Sequence, residues 1–129
     1  MEIALRTALI AWLKADATLS AQLNAVVEEA PTRTALPWLA IAASASTDWS
    51  VKERRGREVR VAFELHCRAE KPDGAAALIA AIEARITAIP GAQSGFQIVT
   101  CQFLRARAEQ RSSNTRAVLL EYRFRLLSD

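Results

Sequence analysis

Cysteine is nearly absent from this sequence, with two in 129 residues, and histidine is rarer still, with one. Cys67 and Cys101 sit inside apolar, strand-like runs and share no CxxC or Cys/His spacing, so they offer no zinc-type ligand set. They read as two buried thiols filling small gaps, and a disulfide is not expected in a reducing compartment. His66 alternates with core residues and is expected to face solvent or a partner. The four glycines are scattered at positions 56, 74, 91 and 95, which excludes a phosphate-cradling loop. No nucleophile elbow surrounds any serine. Glu28 and Glu29 are adjacent, so on a strand they would point to opposite faces and could not share acid/base work. Long apolar runs are missing too. Charges interrupt every such stretch well before the roughly 20 residues a membrane helix needs. The opening Met-Glu-Ile-Ala-Leu-Arg lacks the basic region and cleavage site of a secretory signal. These absences predict no enzyme, no metal, no cofactor and no membrane partner, and a product that stays in the cytoplasm where it is made.

What is present is the composition of a globular chain: 51% hydrophobic and 24% charged residues, with a formal net charge of +3. A chain of this length normally makes one domain, here 1–129, and buries roughly two-thirds of the surface its unfolded form exposes.

Periodicity divides the chain into elements. A helix is expected from about Glu2 to Ala15, with Leu5, Leu9, Trp12 and Leu13 on one side and Ile3 and Ile10 widening the arc. Arg6 interrupts that arc and is expected to snorkel or pair at the core's edge, the alternative being contact with a neighbouring subunit. Asp16 can cap a second helix carrying Leu19 and Leu23. A short strand is expected over 26–30, a polar turn at Thr32-Arg33-Thr34 between Pro31 and Pro37, and a strand from Pro37 to Thr47. The clearest strand alternates Val59, Val61, Phe63, Leu65 and Cys67 with Glu58, Arg60, Glu64, His66 and Arg68. A third helix is expected after Asp73 as its cap, with Leu78, Ile79, Ile82, Ile86 and Ile89 as its stripe and Pro90-Gly91 as its end. Two strands follow, Phe96 to Arg107 and Thr115 to Leu127, around a polar, flexible loop from Ala108 to Asn114. The order α-α-β-β-β-α-β-β predicts an α+β fold: a mostly antiparallel sheet of four to five strands with helices packed on one face. Its other face would carry Arg60, Glu64, Arg68, Glu121, Arg123 and Arg125, able to pair across strands.

Basic residues concentrate in two places. The connection from Asp48 to Gly56 holds Trp49, Lys52, Arg54 and Arg55, with Arg57 just beyond. Arg105, Arg107, Arg111 and Arg116 surround the second loop. The first connection reads either as a solvated hairpin tip with Trp49 folded onto the sheet, or as an interaction arm, since an aromatic among arginines is a common interface hot spot.

Three stretches in order carry a family resemblance: Ala4-Leu5-Arg6-Thr7-Ala8-Leu9 running on through Trp12-Leu13-Lys14-Ala15-Asp16-Ala17-Thr18-Leu19; then Leu36-Pro37-Trp38-Leu39-Ala40-Ile41; then Thr47-Asp48-Trp49-Ser50 with its basic loop, Gly56 and the strand ending His66-Cys67-Arg68. In these the whole chain resembles the tail-completion, or tail-terminator, proteins of long-tailed phages and gene transfer agents. The segment before Pro31 lacks a glycine-rich turn, and Ala43 stands where the family often has glycine.

The resemblance implies a structural subunit that forms a homo-oligomeric, six-membered ring on the finished tail tube. That ring would stop tube polymerisation and offer a docking surface to head-completion proteins, at the head-proximal end of the tail. DNA would pass through its opening without sequence recognition. On this reading Trp49, Lys52, Arg54, Arg55 and Arg57 would meet the tube protein or a neighbouring subunit, and Arg105, Arg107, Arg111 and Arg116 would serve the opposite end or line the channel. The alternatives are a head–tail connector or stopper protein and a small basic nucleic-acid-binding module; an enzyme would need a polar cleft of which the sequence gives no sign.

Overall fold

Two periodicities, near four along the helices and two along the strands, decide most of the architecture. The computed structural model describes residues 1–29, 33–68, 75–111 and 114–129. Helix α1 spans Glu2–Lys14 and buries Leu5, Leu9 and Leu13. Ile3 does not join them and is 71% exposed. It lies two positions from Leu5, about 200° around the helix, so the two cannot share a face. Asp16 caps α2 (Ala17–Gln22) as expected, its Oδ1 accepting from the Leu19 N–H at 3.0 Å.

Strand β1 is shorter than the expected 26–30, covering Ala25–Val27 and pairing in parallel with β2 (Trp38–Asp48). Glu28 and Glu29 follow it on exposed backbone, while Ala30, Pro31 and Thr32 lie outside the described residues. Asn24 fastens this crossing by donating through Nδ2 to the carbonyls of Ala35 (3.0 Å) and Leu36 (2.9 Å). Strand β3 spans Gly56–Arg68, α3 spans Ala76–Thr87, β4 spans Phe96–Arg111 and β5 spans Thr115–Ser128. The expected cap Asp73 lies outside the described residues; α3 itself begins after Ala75, with no side-chain cap.

The five strands lie in the order β1-β2-β3-β5-β4, every pair after the first being antiparallel. This is the expected α+β arrangement. One expectation fails: the polar segment from Ala108 is not a loop up to Asn114. Ala108 through Arg111 continue β4, pairing with Val118, Ala117, Arg116 and Thr115. Glu109, Gln110 and Arg111 are polar or charged side chains suited to the wet end of a hairpin, and Asn114 turns the chain with φ of 56°.

Helices and sheet meet over one apolar cluster. Val59, Val61, Phe63 and Leu65 of β3 and Leu120, Tyr122, Phe124 and Leu126 of β5 face the helices, against Leu5, Leu9, Ile82 and Ile86. Fully burying each such side chain contributes about 1.5–3 kcal/mol against the chain entropy lost. Phe63 meets Tyr122 edge-on, centroids 5.9 Å apart. Cys67 is buried, Cys101 half-buried, and both are free thiols. Burial pushes the Cys101 thiol up to about 11, so it stays protonated and unreactive at neutral pH.

Candidate interaction surfaces

The long strands hold the two basic clusters at opposite ends of the sheet. Gly56 at the start of β3 pairs with Leu127, and Arg68 at its end pairs with Thr115. At ~3.3 Å per residue the two ends lie roughly 40 Å apart.

The first end is a strapped turn. Trp49 N–H donates to the Gly56 carbonyl (3.0 Å), Gly56 N–H to Ser50 Oγ (3.0 Å), and Val51 and Arg54 bond each other. Arg54 Nε donates to the Ser128 carbonyl at 2.8 Å, while Ser128 N–H donates to the Arg55 carbonyl at 2.8 Å. The turn closes so tightly that a Cβ on Gly56 would lie 2.3 Å from the Trp49 carbonyl oxygen. Trp49 folds back, half-buried, with the Arg125 guanidinium 5.4 Å from its ring centroid. Arg57 sits on the helix side of β3, 3.5 Å from Glu2. Of the five residues singled out here, Trp49 and Arg54 therefore hold the turn together and Arg57 pairs beside α1. Lys52 and Arg55 project from an exposed tip that also presents Val51, 47% exposed. Neither cation has an ion pair among the described residues.

The second end divides its arginines between two faces. Arg105, Arg107 and Arg111 lie on the outer face with carboxylates: Arg105 with Glu121 (3.1 Å), Arg107 with Glu109 (2.8 Å), and Arg111 with Glu109 (3.0 Å) and Glu64 (3.6 Å). The Arg111 hydrogen bond, aided by Arg107, holds the Glu109 carboxyl below its usual range. Glu64, Arg107, Glu109, Arg111, Ala117 and Leu119 line a shallow depression there. Arg116 is not among them. It pairs across from Cys67 on the helix side of β5, with its Nε buried and lacking a partner among the described residues. A period of two made that separation inevitable once Val118 and Leu120 were in the core.

The outer face is a lattice of opposite charges rather than a field of one sign. Glu58 accepts from Arg125 at 3.0 Å and lies 3.8 Å from Arg123, which also bonds Gln102. Such exposed pairs contribute about 0–1 kcal/mol each, so their main effect is to consume arginine charge locally. His66 does not simply face solvent. Its ring stacks on Trp38, centroids 3.9 Å apart, and its Nε2 bonds Glu64.

Sequence reasoning missed the free outer edge of β4, where Val99 and Phe103 are each 46% exposed. Phe103 joins Ala80, Glu83, Ala84, Thr87, Ala88 and Tyr122 around a groove between β4 and α3. The Tyr122 hydroxyl is buried at its base, with no hydrogen bond of good geometry among the described residues. Among the described residues no cluster of His, Cys, Asp or Glu could hold a metal ion, and no helix is long and apolar enough to cross a membrane.

No curated protein sequence matches the chain. A solved structure described as the virion of a native gene transfer agent particle contains a similar chain, with a TM-score of 0.81 and 25% sequence identity over 98% of this chain and 97% of that one. The family model described as "Tail completion protein gp17" matches residues 7–127. That match runs from the middle of the opening helix through both basic ends to the close of the last strand, and the chain belongs to the tail completion protein gp17 family of phage-tail structural subunits.

Proposed function

We infer that this chain is the terminator of a phage-type tail: a subunit that forms a six-membered ring on the finished tube, stops its polymerisation and presents a docking surface to the head. The observation that carries the reading is the family match over residues 7–127, and the likeness to a gene transfer agent virion chain supports it. The geometry is compatible with it. Strands spanning roughly 40 Å present a cation-bearing tip, Lys52 and Arg55, at one end and a balanced Arg/Glu cluster at the other. A body seated between tube and head needs two such unlike ends. On this reading the tip contacts the tube or an adjoining subunit, and Arg107, Arg111 and Glu109 lie toward the head or the channel. DNA crosses the ring without being read, consistent with arginines already paired to Glu58, Glu64, Glu109 and Glu121. The working place of the subunit is the head-proximal end of the tail, reached from the host cytoplasm.

Deletion of the gene in the particle-producing host, with tail lengths measured by electron microscopy, tests this. Overlong, headless tails are expected. Tails of normal length without heads would make the chain a connector or stopper instead, and intact, DNA-transferring particles would end the assembly reading.

A further inference from the structure

Among the described residues both outer borders of this sheet have an open stretch whose own side chains carry no charge, Ala42 to Thr47 on β2 and Val99 to Leu104 on β4. Strand β1 covers β2 only at Trp38, Leu39 and Ala40. Beyond it, Ala42 to Thr47 are exposed; Ala42 sits in a bulge, and Ala43 to Thr47 pair only with β3 among the described residues. On the opposite border the start of β4 is closed by backbone bonds, from Gln93 N–H to the Phe96 carbonyl and from Ile98 N–H to the Gly91 carbonyl. From Val99 onward β4 pairs only with β5 among the described residues, and no charged side chain occurs before Arg105. Solitary domains blunt such borders with lysine, proline or other charge, because unpaired N–H and C=O groups otherwise template pairing with another chain.

We propose that these two borders join consecutive copies of this chain, the β4 edge of one subunit adding as an antiparallel strand to the β2 edge of the next. Three features identify the occupant as a second copy. First, the charge-free stretches Ala42–Thr47 and Val99–Leu104 match in length and lie on opposite borders of one sheet. Joining them repeats head to tail, and the ring proposed above is the closed form of such a repeat. Second, β2 and β4 run in opposite directions, since three antiparallel pairings separate them. A copy rotated about an axis along the strands then presents β4 to β2 with antiparallel polarity.

Third, the side chains match face by face. Ala45 and Thr47 share the outer face with Gln102 and Thr100, while Ser44 shares the helix face with Phe103. In that register Phe103 and its groove come against the flank of α1 where Glu2 bonds Ser46 and Arg6 bonds Ser44. Ile3, adjacent to Glu2 and 71% exposed, stands on the same helix. Three of the four large exposed hydrophobics, Ile3, Val99 and Phe103, thus belong to elements that flank this junction. On that face β2 offers only the small side chains of Ser44 and Ser46 to the aromatic ring.

The inference rests on the ring reading above, and its test separates the two. Cysteines placed at the facing positions (A45C and Q102C, with C101A removing the neighbouring thiol) are introduced into the chain in the particle-producing host. After mild oxidation of purified particles, a ladder of disulfide-linked multimers of this chain is expected on a non-reducing gel, and neither single cysteine should give one. Particles with normal tails that yield only monomer, or a link to a different protein, overturn the edge pairing while leaving the tail-completing role intact. Should the double-cysteine chain fail to enter particles, charge supplies a second measurement. A45K and Q102E should each lower particle yield roughly tenfold, as an unmatched charge at each junction would, and their combination should restore it. Absence of restoration overturns the pairing. Loss of the role itself has a different signature: tails unaffected by deletion of the gene.

Discussion

Trp12 and Arg85 hold each other through both backbone and side chain. Trp12 Nε1 donates to the Arg85 carbonyl at 2.6 Å, and Arg85 Nε and Nη2 return two bonds to the Trp12 carbonyl at 2.9 and 2.7 Å. The guanidinium lies over the indole, 3.3 Å from the ring centroid, and Asp16 stands 3.9 Å away. This clasp ties α1 to α3 and so closes the helical layer over the sheet. Arg85→Ala should lower stability by about 1–3 kcal/mol, because it takes both side-chain donors from the Trp12 carbonyl and the cation from the indole face. Arg85→Lys should not restore the loss, since an ammonium cannot supply the planar fork. Urea denaturation of the three proteins checks this; full rescue by lysine would refute the geometric account.

Gly56 should be irreplaceable for a different reason. Its absent side chain admits the Trp49 carbonyl at 2.3 Å and the Leu126 carbonyl at 2.8 Å from where a Cβ would stand, and neither is a flexible side chain. Gly56→Ala should cost about 2–4 kcal/mol or force the turn open, read as a lowered melting temperature and a red-shifted tryptophan emission from Trp49.

The exposed tip and the strapped turn beneath it should separate by mutation. Lys52→Glu with Arg55→Glu should change stability by less than about 0.5 kcal/mol, since both side chains are exposed. Particle production should nevertheless fall if the tip is a contact. Arg54→Ala should act the other way, costing about 1 kcal/mol by releasing Ser128. Measuring folding stability and particle yield together distinguishes the two classes.

Acid should loosen α1 from β2 through Glu2. The hydrogen bond from Ser46, at 2.6 Å, is the main reason its carboxyl sits at about 2 instead of 4.5. The folded state therefore binds that proton less readily than the unfolded chain. The contribution is fully present above pH 4.5 and lost as pH falls toward 2. Glu2→Gln should flatten stability against pH across that window. An unchanged acid limb would show that other carboxylates govern it.

The Tyr122 hydroxyl is buried beside Thr87, Glu83 and Cys101 with no hydrogen bond of good geometry among the described residues, and burial drives its ionisation well above the ordinary value, only slightly offset by nearby Thr87. Tyr122→Phe should thus be neutral or stabilising by up to about 1 kcal/mol in thermal or urea unfolding. A clear loss would reveal a partner for that hydroxyl.

Element type and order were legible because they depend on local spacing. Leu5, Leu9 and Leu13 declare a helix, the alternation from Glu58 to Arg68 declares a strand buried on one face, and Asp16 declares a cap; each needs only its own neighbours in the chain. Even the division of β5 into a core face and a charged face follows from a period of two. The sequence could not say which strands would be neighbours. That was decided when α3 carried the chain past β3 and β5 returned between β3 and β4, leaving β4 as a long open border. The basic clusters changed meaning for the same reason. Arg54 became a strut because Ser128, seventy-four positions away, came within its reach. Arg116 parted from Arg107 and Arg111 because the core claimed its side of β5. Charge and hydropathy are properties of residues and can be read along a chain, whereas pairing, burial of a cation and exposure of an edge are relations between distant segments that exist only once the layers have closed.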